Sequence, residues 1–185
     1  MIDDIQKDAE TRMGKTVDST RDDMARIRTG RASTALLEHL TVDYYGSATP
    51  VSQVATIAVA DARTLTVQPW EKQMLPVIEK AILESDLGLN PITAGETMRL
   101  PLPPMTEDRR RELGKIVKNE GENGKIAIRN IRRDSINTLR DLHKEKDITQ
   151  DELKQAESAL QAITDRFVAQ IDEVVTEKEK EVMEV

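Results

Sequence analysis

The sequence predicts an α+β fold: an elongated three-helix bundle built from both ends of the chain, with a small β/α/β domain inserted between the first and second helices. Three observations predict it. Apolar residues recur at helical spacing over residues 1–30, from about 106 to 144, and from 149 onward. Residues 31–105 instead carry short β-rich runs around one helical segment. Pro101, Pro103 and Pro104 then punctuate the return to helix, because such a run cannot sit inside a helix or a central strand. The expected domains are 1–30 with 105–185 for the bundle and 31–104 for the insert, with linkers near 30–31 and 101–105.

The first thirty residues read as one helix. Ile2, Ile5, Ala9, Met13, Val17, Met24 and Ile27 step by three, four and seven along one stripe, which is read as core. Gly30 is its expected stop. Leu40–Tyr45 is a strand closed by Gly46 and Pro50, and Thr56–Ala60 and Thr64–Gln68 are strands joined by a turn at AspAlaArg. Pro76 opens a helix through about Ser85, with Val77, Ala81 and Ile82 inward. Residues 86–91 are loop, and short strands are expected around Gly95, ending at Met98–Leu100. The proline run forms a stiff, extended linker.

After it, Thr106 is placed to cap a helix whose first turn carries Glu107 and Asp108, favourable at the positive helix end. Leu113, Ile116, Val117, Ala127, Ile128, Ile131, Leu139 and Leu142 form its apolar face to about Lys144. Gly121 and Gly124 interrupt that face, each costing roughly 1 kcal/mol against alanine. Thr149 and Glu152 form a capping-box pair for the last helix. Its seam runs through Leu153, Ala156, Leu160, Ile163, Phe167, Ile171 and Val174 until it reaches Lys178. A helix of ~35–40 residues is about 55 Å long, so the bundle is a rod.

Composition narrows the function. The chain has 185 residues, 27 basic and 34 acidic side chains, and a net charge of -7. Residues 106–146 reverse the sign, with 12 basic against 8 acidic side chains, whereas 147–185 hold 4 against 11. Arginine is clustered at Arg26, Arg28 and Arg31, at Arg109, Arg110 and Arg111, and at Arg129, Arg132 and Arg133. The last three fall at helical spacing on one face, which Lys125 and Arg140 extend. Arginine's planar fork suits phosphate, so an acidic chain with these clusters points to a specific RNA or phosphate-rich partner. The bland alternative is a solvated face paired to carboxylates such as Glu122 or Asp134.

Other classes fare badly. No cysteine is present, which excludes disulfides and thiolate chemistry. His39 and His143 are the only histidines, and neither lies in a metal-ligand spacing. Phosphate-cradling and nucleophile-elbow glycine motifs are absent, so no enzyme and no cofactor are expected. Aromatics are too few for base-stacking platforms. The start lacks signal or transit character and no apolar run suits a membrane span, so a cytoplasmic protein is expected.

Five segments in order carry a resemblance: IleArgThrGlyArgAla at 27–32, AspTyrTyrGly at 43–46, SerAspLeuGlyLeuAsnPro at 85–91, ArgLeuProLeuProProMetThrGluAspArgArg at 99–110 and ArgAsnIleArgArgAsp at 129–134. Together they resemble the bacterial ribosome recycling factor family over essentially the full length. The resemblance implies an L-shaped, tRNA-like protein whose bundle lies on large-subunit ribosomal RNA. It implies action after translation termination, when elongation factor G and GTP drive splitting of the ribosome and elongation factor G pushes on the small arm. It implies RNA contacts by Arg28, Arg31, Arg129, Arg132 and Arg133, with Arg110 beside them, and a hinge at Gly30, Arg31, Leu102, Pro103 and Pro104. The partners expected are the ribosome and elongation factor G, with no membrane and no DNA, for a monomeric protein that is not itself a GTPase. Two departures stand out. AsnGluGlyGluAsnGly at 119–124 replaces a more helix-friendly stretch and is expected to be soft, and Thr34 stands where proline is frequent. A helical coiled-coil adaptor without RNA binding is the alternative reading.

Overall fold

In the computed structural model, which describes residues 1–184, the chain forms four α-helices and six strands. It divides into two compact units, Met1–Arg28 with Asp108–Glu184, and Thr29–Glu107. The expected divisions lay at 30/31 and 104/105.

The first unit contains α1 (Ile2–Arg26), α3 (Glu107–Lys144) and α4 (Gln150–Met183). Thr20 of α1 and Ile171 of α4 meet at Gly124 of α3, while Met24 and Val175 meet at Gly121. Moving forward along α1 and α4 therefore moves backward along α3: α3 runs antiparallel to the other two. The shared core includes Ala9, Met13, Val17, Ile128, Leu139, Leu160 and Ile171.

Several expectations change in detail. Helix α1 stops at Arg26, where Ile27 turns extended (φ -73°, ψ 114°), so Gly30 is not its stop. Gly30 instead takes φ +76° within the connecting segment, a conformation glycine adopts without steric cost. Gly121 and Gly124 do not interrupt α3, which runs unbroken, and both are buried. A Cβ at Gly121 would run into Val175 Cγ2, and one at Gly124 would lie 2.7 Å from Thr20 Oγ1. At both glycines side chains of the neighbouring helices occupy the space a Cβ would need, so the missing side chains are a packing requirement there. Ile116 points outward, 42 % exposed, and Ser135 takes a buried position instead. On α4 the seam buries Thr164, whose hydroxyl donates to the Leu160 carbonyl at 2.7 Å, in preference to Ile163. The capping box is formed: Glu152 N–H donates to Thr149 Oγ1 and Thr149 N–H to Glu152 Oε2, at 3.2 and 2.7 Å. Lys178 does pack into the seam, 8 % exposed, with its ammonium 3.1 Å from Glu181.

The second unit holds a two-stranded hairpin, β1 (Thr41–Tyr44) and β2 (Ser47–Pro50), and a four-stranded antiparallel sheet of order β3-β4-β6-β5. The sheet strands are β3 (Ala55–Asp61), β4 (Thr64–Pro69), β5 (Ile92–Ala94) and β6 (Thr97–Pro101). Leu65, Val67, Met98 and Leu100 share a core with Ile78 and Ile82 of α2 (Leu75–Glu84). Val77 and Ala81 pack partly buried against this core as expected, and Ile78, which sequence reading left out, is fully buried beside Ile82. Strand β2 escapes sequence reading because its turn places Tyr45 (φ +49°) before Gly46 (φ +85°). Both central residues have positive φ, the primed hairpin geometry, and tyrosine is not the residue that signals it. Pro101 ends β6, and Leu102 packs on this unit's core and donates its N–H to the Arg63 carbonyl at 2.7 Å. On the entering side, Ala32 N–H donates to the Ala62 carbonyl at 2.8 Å. Leu102 is thus anchored to the sheet, and the unanchored part of the expected hinge begins at Pro103.

Candidate nucleic-acid interface

Helix α3 is 38 residues long and amphipathic, and its inner side is set by Leu113, Val117, Ile128, Ile131 and Leu139. The remaining sides are solvated, which decides where each cation points. Arg129, Arg133 and Arg140 step by four and seven away from the core and are exposed. Arg132 is half-buried on the α4 side.

These cations are laced to neighbours. Arg129 Nη1 donates to Glu122 Oε1 at 3.1 Å, Arg132 Nη1 to Gln161 Oε1 at 2.7 Å, and Arg140 Nε to Glu157 Oε1 at 3.0 Å. Lys125 pairs with Asp172 of α4. Arg133 makes no ion pair or side-chain hydrogen bond among the described residues. The surface is therefore partly the paired face of the bland reading, with α4 supplying three partners that sequence spacing on α3 could not show. Exposed pairs of this kind contribute about 0–1 kcal/mol each. Phosphate oxygens can replace such partners at little cost.

The other predicted cations separate into groups. Because α3 runs antiparallel to α1, the end of α1 and the start of α3 share one end of the bundle. Arg110 lies there, nineteen residues before Arg129, about 29 Å along the axis at 1.5 Å per residue. It is half-buried, in register with Leu113 and Val117, so it faces inward more than the prediction supposed. Arg28 follows α1 as the last residue of that segment of the bundle unit and Arg31 lies in the small unit, which begins at Thr29, so the structure divides this pair between units. Both are exposed and neither is paired among the described residues.

Sequence reading placed Arg111 in the cluster at the start of α3 but missed Lys115 and Lys118, which continue the stripe from it. Arg111, Lys115 and Lys118 are exposed and step by four and seven toward Arg129 and Arg133. The signal was present, but attention to the arginine clusters passed over these two lysines. With them the basic stripe spans 111–140, about 44 Å of helix, broken by Glu122.

Among the described residues no group of His, Cys, Asp and Glu could hold a metal ion, and no helix is long and apolar enough to cross a membrane. His39 is exposed, and His143 lies with Nδ1 3.1 Å from the Ile148 carbonyl oxygen, serving the α3–α4 turn.

Known proteins of the same pattern exist. The family profile described as "Ribosome recycling factor" matches residues 20–183. The chain is 56 % identical to the ribosome-recycling factor of Legionella pneumophila (strain Paris) and 55 % identical to that of Halorhodospira halophila, covering the whole of each. Among solved structures it resembles a solution structure of the ribosome recycling factor, with TM-score 0.67 and 41 % identity over 100 % of this chain and 98 % of that one. It also resembles, with TM-score 0.61 and 43 % identity over 98 % of both chains, the T. thermophilus ribosome recycling factor in models with E. coli elongation factor G bound to the E. coli post-termination complex. An inserted α+β unit, a three-helix bundle and full-length likeness at this identity lead to one conclusion: the chain belongs to the ribosome recycling factor family.

Proposed function

We propose that this protein is a translation factor that recycles the ribosome: with elongation factor G and GTP, it splits the post-termination complex into subunits. In this reading the bundle binds large-subunit ribosomal RNA in the cytoplasm, and the protein catalyses no bond change itself. The observation that carries it is the basic stripe of α3 in a chain of net charge -7. A row of cations binds phosphate in a salt-sensitive way, while the acidic remainder repels RNA elsewhere. Arg129, Arg132 and Arg133 are the central contacts. Arg28, Arg31 and Arg110 are further ones, and Arg111, Lys115 and Lys118 extend the surface. The segments around Gly30-Arg31 and Pro103-Pro104, with Leu102 as the anchored end, serve as the hinge. Through it a push by elongation factor G on the small unit becomes work on intersubunit contacts.

The test is cosedimentation with large ribosomal subunits at two salt concentrations, beside a thermal melt. Arg132→Glu and Arg133→Glu each lose an attraction and add a repulsion, and each is expected to weaken binding at least tenfold. For the exposed Arg133→Glu stability is expected to move by less than about 0.5 kcal/mol, as for surface substitutions away from the core, and the melt checks Arg132→Glu, which also loses its hydrogen bond to Gln161. Binding equal to wild type at both salts refutes the RNA assignment.

A further inference from the structure

The cations of α3 are not equally open. Lys115 and Lys118, toward its start, are exposed and form no ion pair among the described residues. Two neutralised cations follow: Lys125 pairs with Asp172 of α4, and Arg129 Nη1 lies 3.1 Å from Glu122. Then the row opens again. Arg133 has no carboxylate within ion-pair distance, and Arg132 meets the neutral amide of Gln161, which donates its own N–H to Asp165 at 2.8 Å. Arg140 closes the row, 3.0 Å from Glu157 of α4. Of the α4 residues that meet the stripe, the neutral one therefore faces Arg132. Two open pairs of cations remain, Lys115 with Lys118 and Arg132 with Arg133, their midpoints sixteen residues apart, about 24 Å along the axis.

We propose that Glu122, Glu157 and Asp172 are specificity-determining residues of the RNA interface: they interrupt the stripe so that only a folded RNA holding phosphates opposite both open pairs binds tightly. The proposal rests on the RNA-binding role given above. Attraction to an unstructured polyanion grows with the number of phosphates neutralised at once, and so with the length of an unbroken cation row. Between residues 112 and 140 no run of cations without a carboxylate partner exceeds two. A phosphate that settles on a screened cation also meets the repulsion of the carboxylate beside it, a penalty directed against wrong partners. A rigid RNA surface avoids that penalty by presenting phosphates where the row is open. It can also use the N–H groups of Arg129 and Arg140 that their carboxylates leave unoccupied, since each guanidinium has five and gives one to its carboxylate.

The test measures Kd for large ribosomal subunits and for poly(U) at one salt concentration, beside a thermal melt. Glu122→Gln/Glu157→Gln keeps side-chain size and removes two screens. It is expected to tighten poly(U) binding by roughly tenfold, as for two exposed charge pairs, and subunit binding by less than about threefold. The matched control is Glu173→Gln/Glu177→Gln. These exposed carboxylates step by seven and eleven from Arg166, which pairs with Glu10 of α1, and have no ion-pair partner among the described residues. The control changes net charge equally and is expected to leave the ratio of the two affinities near wild type. Gln161→Glu sets a carboxylate against Arg132 and is expected to weaken subunit binding by about threefold or more. If the double variant melts early, Gln161→Glu decides. A double variant that keeps the wild-type ratio overturns the proposal, as does a control that shifts the ratio equally. So does Gln161→Glu binding subunits as tightly as wild type. A wild-type protein with no preference for subunits over poly(U) defeats the RNA-binding reading itself.

Discussion

Two glycines of α3 are expected to respond oppositely to one substitution. At Gly114 a Cβ meets nothing within 4 Å, so Gly114→Ala keeps only the gain in helix propensity, about 1 kcal/mol. At Gly121 the same gain is opposed by collision with Val175 Cγ2. Valine in a helix has one strongly preferred rotamer and cannot swing aside freely. Overpacking of this kind costs about 1–3 kcal/mol, so Gly121→Ala is expected to destabilise by roughly 1 kcal/mol net. For a chain of this length that is a fall of about 2–4 °C in Tm, against a rise of similar size for Gly114→Ala. Thermal melts followed by helical circular dichroism read both. The collision is confirmed if Gly121→Ala becomes stabilising in a Val175→Ala background, where the opposing methyls are gone. A Gly121→Ala protein that melts as high as Gly114→Ala refutes the close-approach argument and returns Gly121 to a simple weak point.

Two further outcomes are expected. Lys178→Glu places a carboxylate in the buried seam beside Glu181, which is expected to cost ~3 kcal/mol or more, whereas Lys180→Glu, on the exposed side, is expected to leave the melt near wild type. Thr149→Ala is expected to cost about 1 kcal/mol at neutral pH. Hydrogen bonds from the Thr149 backbone N–H, then its side chain, hold the Glu152 carboxyl below its usual range. Its contribution is therefore complete above the unfolded pKa of about 4.3 and lost as pH falls through the lower folded value. Wild-type and Glu152→Gln melting curves are expected to differ at neutral pH and converge in acid.

Periodicity made the long elements legible. The capping pair at Thr149 and Glu152 marked the start of α4, and stripes of Leu, Ile and Val marked core faces, because helical spacing is local information. What required the fold is equally specific. Gly121 and Gly124 read as helix breakers since propensity sees only one helix, whereas their reason lies in Val175 and Thr20 on two others. Lys178 read as the end of a seam, yet its stem packs there while the ammonium reaches Glu181. The arginine cluster was legible as a cluster, but its lacing to Gln161, Glu157 and Asp172 depends on where α4 lies. Strand β2 was hidden by a tyrosine at a left-handed turn position.

The two ends of the small unit are tied to neighbouring carbonyls of one turn, Ala62 and Arg63. They therefore leave the sheet side by side, which bears on how the bundle folds. Helices α1 and α3 are separated by the eighty residues 27–106. If those were flexible, closing the helix pair would carry the entropy of a long loop. Once the insert is folded, only about ten residues outside the anchors remain as loop. That is three halvings of loop length, or roughly 2 kcal/mol of closure entropy. The sheet, which takes no part in the bundle core, thereby acts as a clasp that brings two distant parts of the sequence within reach of each other.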